Sequence, residues 1–509
     1  MVGIFSTLGN DPDNAARRPC LNHSLAFTLR QRMRKSTGLV GVVAIVAIAW
    51  VGATWYVGTR AQQTIEDVVA QANERLTEVS VPASGTSLEI VSYDRGWFSS
   101  QVVYTLHMKD ADGAARALTM QDHLHHGPFP WSAVQSGKFA PMLAHSKAHV
   151  VATPATQAWV DSQQGGSPLT IETQVGFGGS GHSTWTFAPV DMMDEGDALR
   201  FSGGQLLVDF TDDFKSNQAT GQFASLLLTN EEMAERLELK DLQVKSSTQS
   251  SNNDTVTVQS QATVAAFTLD EGDDSPVVIN DMAIHFDSVQ TGKLLDGTLR
   301  YDFGQVAVGE FALGSVSIGG KVLQLDMEAL RLLAMEYDAI QASLGDNDDE
   351  SAVVLSNEQE ARLQERLQAV LASSPVFSIE PFVWKNDQGE TRGSLQASLA
   401  QPAADGKQSV DLMLAQMLRQ LKLDLAISRP MLIQAFGQSQ GSADERARME
   451  MMGAMVYDQY MGRLEQAGLV QQRDGTAILD LHYEDQVVTV NGQAMPVAEF
   501  MQRALSVVM

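Results

Sequence analysis

The spacing of apolar positions changes several times along this chain, and each change marks a different kind of element. From Leu39 to Val57 nineteen residues run without a charge. From Thr59 to Val79 the apolar residues Ile65, Val68, Val69, Ala72 and Leu76 fall on one helical face against Gln, Glu and Asn, which predicts an amphipathic helix. Pro82 and Gly85 stop it. From Ser87 to about Met327 the interval drops to two. Val102, Tyr104, Leu106 and Met108 alternate with Gln101, Val103, Thr105 and His107, and the pattern returns at Leu206, Val208 and Phe210, at Val256, Val258, Ala262 and Val264, and at Leu299, Tyr301 and Phe303. Such runs, separated by Gly, Asp, Asn and Ser, predict antiparallel strands buried on one side. Turns are expected at 176–181, 251–254 and 270–274, and Asn491-Gly492 predicts a two-residue hairpin because both residues tolerate positive φ.

Helical spacing returns at Glu328–Leu344 and Asn357–Ala372, flanking the acidic 345–350 loop, so these two predict a helical hairpin. Leu421, Leu423, Leu425 and Ile427 alternate as a strand, and Pro430 fits the first turn of a following helix. A Met-rich helix is expected over 443–467, then a strand pair (476–483 and 487–490) and a short helix from Pro496. The fold class is α+β: a transmembrane helix, then a long, curled, mostly antiparallel sheet with helices on one face or end. The chain divides into a basic tail (1–35), a membrane segment (36–58), a stalk helix (59–80), a β-rich region (81–327) and a mixed α/β region continuing the sheet (328–509).

At 1.5 Å per residue the uncharged segment spans about 28 Å, close to the hydrocarbon thickness of a bilayer. Its apolar side chains Leu39, Val42, Val43, Ile45, Val46 and Ile48 face the hydrocarbon, while Trp50, Trp55 and Tyr56 suit the outer interface. Arg30, Arg32, Arg34 and Lys35 on the N-terminal side place that side in the cytoplasm. Cleavage of a signal peptide after Ala47-Ile48-Ala49 is the competing reading. Met33-Arg34-Lys35 has the form of a short n-region, so residues 1–32 read either as an unstructured extension or as the product of a misplaced start.

Charge narrows the partners. Residues 1–35 hold six basic and two acidic groups, a net +4, so the total of −27 leaves −31 for the remainder. A surface of that sign repels phosphate backbones, which excludes nucleic acid. Cys20, the one cysteine, precedes the membrane segment, so the outer region has no disulfide and no thiolate metal site. No cofactor motif is present.

Candidate chemistry is sparse. Asp122-His123-Leu124-His125-His126 is the one histidine cluster; on a strand His123 and His125 share a face, and His123, His125 and His126 are candidate metal ligands lacking a complete set. The other reading makes His126-Gly127-Pro128 a strand-ending turn beside two solvated histidines. Gly176–Gly181 is glycine-rich, but an alternating run follows it rather than a helix, so it reads as a hairpin and not a phosphate loop. No nucleophile elbow, His-Glu-x-x-His or Walker sequence occurs. Met449, Met451, Met452, Met455 and Met461 form a stripe that is either half core or an adaptable apolar surface.

Tyr93-Asp94-Arg95-Gly96-Trp97-Phe98-Ser99 shortly after the stalk, and His126-Gly127-Pro128-Phe129 about thirty residues later, resemble the YdgA-like family of bacterial envelope proteins, a family of unknown function. The resemblance covers residues 35–509 and implies an inner-membrane protein facing the periplasm; it implies no activity. Asp94-Arg95-Gly96 suits a tight turn with a left-handed glycine, and Trp97-Phe98 would anchor the returning strand, so these residues read as structural. One anchor joined to a long sheet is also similar in architecture to periplasmic lipid-handling proteins of the AsmA type. The expected function is non-enzymatic: an envelope protein offering an apolar groove or edge to a lipid-like or protein ligand. The alternatives are an assembly factor that self-associates as a homo-oligomer or docks on another envelope protein, and a metal enzyme at the histidine cluster.

Overall fold

The structure is a computed structural model describing Asn73 and residues 86–508, apart from 97–98, 110–114, 127–128, 155, 164, 195, 212–214, 231–233, 252–253, 273–274, 345–355, 403–415 and 439–442. The expected tail, the membrane segment and all of the stalk except Asn73 lie outside the described residues, as do Trp97, Phe98, Gly127 and Pro128 and the side chains of Arg95 and His126. Among the described residues no helix is long and apolar enough to cross a membrane.

The described residues form one 22-stranded antiparallel sheet. The first half contains β1 (Ser87–Arg95), β2 (Ser99–Lys109), β3 (Ala115–His126), β4 (Ala144–Val150), β5 (Leu169–Val175), β6 (Gly181–Phe187), β7 (Val190–Asp194), β8 (Asp197–Phe201), β9 (Gly204–Phe210), β10 (Ser216–Asn230) and β11 (Glu235–Ser250). Then come β12 (Thr255–Glu271), β13 (Val277–Thr291), β14 (Leu294–Val308), β15 (Phe311–Asp326), β16 (Val376–Asn386), β17 (Gly389–Leu399), β18 (Leu418–Ser428), β19 (Gln471–Arg473), β20 (Thr476–Glu484), β21 (Val487–Val490) and β22 (Gln493–Pro496). The helices are α1 (Trp131–Gln135), α2 (Gln157–Asp161), α3 (Met327–Leu344), α4 (Asn357–Leu371), α5 (Arg429–Gly437), α6 (Ala443–Gln466) and α7 (Val497–Val508). Pairing follows chain order almost throughout, as a meander. The expected hairpin at Asn491-Gly492 joins β21 to β22 with both residues at positive φ. Pro430 stands in the first turn of α5, and Ser356 caps α4 in a reciprocal capping box with Gln359.

β6 with β7, and β8 with β9, are each one strand interrupted by two residues, since the pairing of Gly181 with Phe210 and of Val190 with Phe201 keeps a single register. The interruption belongs to a crease that runs across the sheet. Apolar residues alternate in twos on each side of it but step by three across it: Phe187 to Val190, Phe223 to Leu226 and Leu239 to Leu242. All six nevertheless pack in one core. Every second strand supplies a left-handed residue at the crease, namely Gly203 (φ 78), Asp241 (φ 52), Asp281 (φ 54) and Gly314 (φ 85). The register is unbroken through it in the central strands, Phe223 facing Leu242 and Ser225 facing Lys240. Each left-handed residue thus resets the pleat, so that both halves of a 15- to 17-residue strand point their apolar side chains the same way.

The first nine strands curl around a buried core. Val102 and Tyr104 on β2 pack with Phe210 on β9, and Val102, Leu124, Val175 and Val208 are fully buried, worth about 1.5–3 kcal/mol each. A polar stripe crosses this interior: the Ser146 hydroxyl donates to Asp122 Oδ1 at 2.6 Å, and Thr173 bonds Ser183 at 2.8 Å. At the free edge of β1 the Asn73 amide acts as a surrogate strand, donating to Leu88 O (3.0 Å) and accepting from Leu88 N–H (2.8 Å). Gly96 departs from expectation. Its φ is not positive; glycine is needed there because a Cβ would lie 2.5 Å from the Ser99 carbonyl oxygen.

Candidate functional site

Beyond the buried core the sheet continues, and so does its apolar face. Register places Val208, Ala219, Ser246, Ser260, Phe286 and Leu299 in one row, which runs on through Gly320, Ile379, Leu395 and Leu423 to Leu481. A parallel row passes from Leu206 through Val244, Ala262, Ile284, Tyr301 and Ile318 to Phe382 and Leu425. The opposite face is polar, with Lys245, Gln261, His285 and Arg300 in register. Arg300 and His285 share Asp302.

Two ends of the apolar face are covered. The curled core closes one, and at the other α7 lays Val497, Phe500, Ala504 and Val507 over Leu421, Leu423, Leu481 and Val490. Helix α6 adds Tyr457, Met461 and Leu464 there, held by Arg429 bonded through two nitrogens to Asp458 at 2.7 Å each. The hairpin of α3 and α4 packs Ala329 and Val370 against the end of β15 at Leu325. Between these covers the face is open: Phe286, Leu299, Ile318, Phe377 and Ile379 are 37–46% exposed. From β10 to β18 the sheet measures about 38 Å at about 4.8 Å per strand spacing.

A second cluster lies at the end of the curled region. The register pairs Ser99 with His125, Ala144 with Val175 and Gly181 with Phe210, so the turn after β1, the 127–143 loop and the 176–180 turn all emerge at the same end. The described ends of the two motifs, Gly96 and Ser99 in one and Phe129 in the other, therefore lie at the same end of the sheet. Phe129, Trp131, Phe139 and Phe177 project there, each 59–69% exposed. A buried polar pin holds the loop that carries the first three. His145, 1% exposed on β4, bonds Ser132 Oγ through Nδ1 at 2.7 Å and Glu172 through Nε2 at 3.1 Å, and the Lys138 ammonium donates to the same Glu172 oxygen. Ser132–His145–Glu172 has the connectivity of a nucleophile, base and orienting acid. Burial holds the His145 pKa below the usual value, with Lys138 and Lys147 adding to the effect against Glu172. Burial alone would raise the Glu172 carboxyl, but its bonds from Lys138 and His145 outweigh this and hold it below the usual range.

Of the three sequence-predicted histidines the structure describes the side chains of two. His123 and His125 do share the outer face of β3. His123 bonds Gln101 at 2.8 Å and lines a cleft of about 550 Å³ with Lys147 and His149, under the 151–167 connection. His125 pairs across the strands with His145, and burial together with His123 and His145 lowers its pKa. Among the described residues no group of three or more His, Cys, Asp or Glu is placed to hold a metal ion. Of the methionine stripe, Met461 joins the core whereas Met451, Met452 and Met455 are 44–70% exposed.

Fold and site together define a long antiparallel meander, curled at one end and carrying an uncovered apolar floor along its middle. The chain belongs to a family described as a bacterial protein of unknown function (DUF945), which matches residues 33–498. It is 26% identical over 492 residues to Protein YdgA of Escherichia coli (strain K12), covering 92% of this chain and 96% of that protein. It is also 25% identical over 488 residues to the uncharacterized protein YihF of the same organism, covering 93% and 99% respectively. An uncharacterized protein of Haemophilus influenzae matches 43% of the chain at 23% identity. No solved structure matches significantly.

Proposed function

We propose that this protein is tethered to the bacterial inner membrane with its sheet in the periplasm, and that it holds the acyl chain of a lipid along the open floor between β11 and β17. The reading is non-enzymatic. The observation that carries it is the continuity of the apolar rows from one covered end to the other, with Phe286, Leu299, Ile318, Phe377 and Ile379 left exposed between. The chemistry of the floor favours hydrocarbon over peptide. Its backbone groups are consumed by neighbouring strands and its side chains are mostly aliphatic or aromatic, so a peptide laid there would lose water from its amides and find few partners, at several kcal/mol per group. An acyl chain has no such groups to satisfy. From β11 to β17 the floor measures six strand spacings, about 29 Å at about 4.8 Å each, nearly twice the ~15 Å spanned by half of a bilayer core, and so accommodates a chain at full extension. The uncharged run Leu39–Val57, with basic residues on its N-terminal side, supports the tether and its orientation.

The test is mass spectrometry of lipid co-purifying with the full chain in mild detergent. Wild type should retain bound lipid that the double variant Phe286→Glu, Ile379→Glu loses for the most part, because two carboxylates now face the floor. Both positions are partly exposed, so far-UV circular dichroism should be unchanged. Lys321→Glu, at an exposed position in register with Thr298 on the polar face, should retain lipid as wild type does. Equal lipid content in the double variant and wild type would reject the reading.

A further inference from the structure

We infer that the aromatic end of the curled region, Phe129, Trp131, Phe139 and Phe177, docks onto the bilayer surface next to which the chain is tethered. The inference rests on the reading of residues 39–57 as a membrane segment, and is independent of whether the floor of the sheet holds lipid.

Three observations converge on it. The four rings come from two separate connections yet emerge at one end of the sheet, 59–69% exposed, and no described side chain covers them. Scattered single apolar residues on a surface are ordinary, but four large rings at one edge are a patch, and aromatic rings are the side chains enriched at membrane–water interfaces.

The loop beneath the rings is held by buried chemistry. Ser132 and Lys138, each adjacent in sequence to an exposed ring (Trp131 and Phe139), are fastened to His145 and Glu172 on β4 and β5. Desolvating a histidine, a carboxylate and a lysine stem has a cost. Here it fixes a loop whose rings point outward, where a loop with no task at that surface would fold them in.

The length of chain preceding the sheet sets the geometry. Asn73 is clasped to Leu88 near the start of β1, and sixteen positions separate it from Val57 at the end of the uncharged run. The helical spacing of Ile65, Val68, Val69 and Ala72 makes that about 24 Å at 1.5 Å per residue. From Leu88, β1 runs seven residues to Arg95 at the aromatic end, about 23 Å at 3.3 Å per residue. Counted back from Asn73 along the helix that this spacing predicts, the chain to Val57 is as long as β1 is from Leu88 to the aromatic end, so the outer end of the expected membrane segment is within reach of the rings.

The experiment uses the full chain with Cys20→Ser, which removes the one native cysteine, and an environment-sensitive NBD label at Phe139→Cys, Phe177→Cys or Met193→Cys. Met193 is the matched control: apolar, 69% exposed, and at the opposite end of the same strands in the hairpin of β7 and β8. In phosphatidylcholine vesicles the labels at 139 and 177 should shift their emission to the blue and lose intensity when brominated phosphatidylcholine is included, while the label at 193 should do neither. Water-like emission at 139 and 177 would overturn the inference. So would a blue shift that brominated lipid does not quench, which would mean a protein covers the rings, or equal quenching at 193, which would mean the molecule lies flat. Adding Ser132→Ala should weaken quenching at 139 and leave 177 unchanged. Loss of co-purifying lipid from the floor would not alter any of these readings.

Discussion

Replacing Gly203 with alanine is expected to destabilise the protein by about 3–4 kcal/mol, whereas the same change at Gly292 should cost about 1 kcal/mol. Both glycines have positive φ, 78° and 56°, so both substitutions strain the backbone. They differ in their surroundings. A Cβ at Gly292 meets nothing within 4 Å, while at Gly203 it lies 2.6 Å from the Phe187 carbonyl oxygen and 3.0 Å from the Pro189 nitrogen. These are main-chain atoms of the neighbouring strand and cannot rotate aside. Relief would require the crease to straighten, which would turn Phe201 or Leu206 out of the core they share. Urea midpoints of the two variants decide the matter. Equal losses would mean that the crease is not what glycine serves at 203.

The second large effect is expected at Asp122. This carboxyl is buried in the curled core, and burial pushes its pKa up to about 6, against the opposing influence of Ser146, His123 and the Lys147 backbone. In the unfolded chain the group titrates near the ordinary aspartate value of about 3.9. Between those two pH values the folded state holds a proton that the unfolded state has released, so stability falls as pH rises through this window and levels off above it. About two pH units correspond to on the order of 3 kcal/mol. Asp122→Asn removes the ionisation while keeping an oxygen for Ser146. It should be more stable than wild type by on the order of 2–3 kcal/mol at pH 7.5 and by only about 1 kcal/mol at pH 4.5, where most of the effect is gone. Paired denaturation curves at the two pH values measure this, and a stability difference that stays constant with pH would contradict the assignment.

Period-two alternation made the sheet legible from residues alone, and the helices at 327–344, 357–371 and 443–466 stand within a residue or so of their expected bounds. The crease was not legible, although it leaves a trace. Leu237, Leu239, Leu242 and Val244, or Val277, Ile279, Met282 and Ile284, break step by one position, and a search for strict alternation reads each as two short runs. Strands β16 and β17 escaped notice because Pro381 interrupts the first; it occupies the irregularity between Ile379 and Phe382, where no ladder bond is lost. The histidine cluster was visible, but its neighbours were not. Pairing His145 with Ser132 and Glu172 needs the register of β4 with β5 and the fold of the 127–143 loop, and no spacing in the chain encodes either. The aromatic end is hidden for the same reason, its rings being 48 positions apart from Phe129 to Phe177.

The meander carries a consequence for how the protein is made. Each long strand from β10 to β15 pairs with its immediate predecessor, so no segment has to wait for a distant partner before its amides are satisfied. A polypeptide synthesised from its N-terminus can zip up in the order in which it emerges. The curled core would then be complete while the C-terminal helices are still unsynthesised, leaving little unpaired edge exposed to aggregation at any stage.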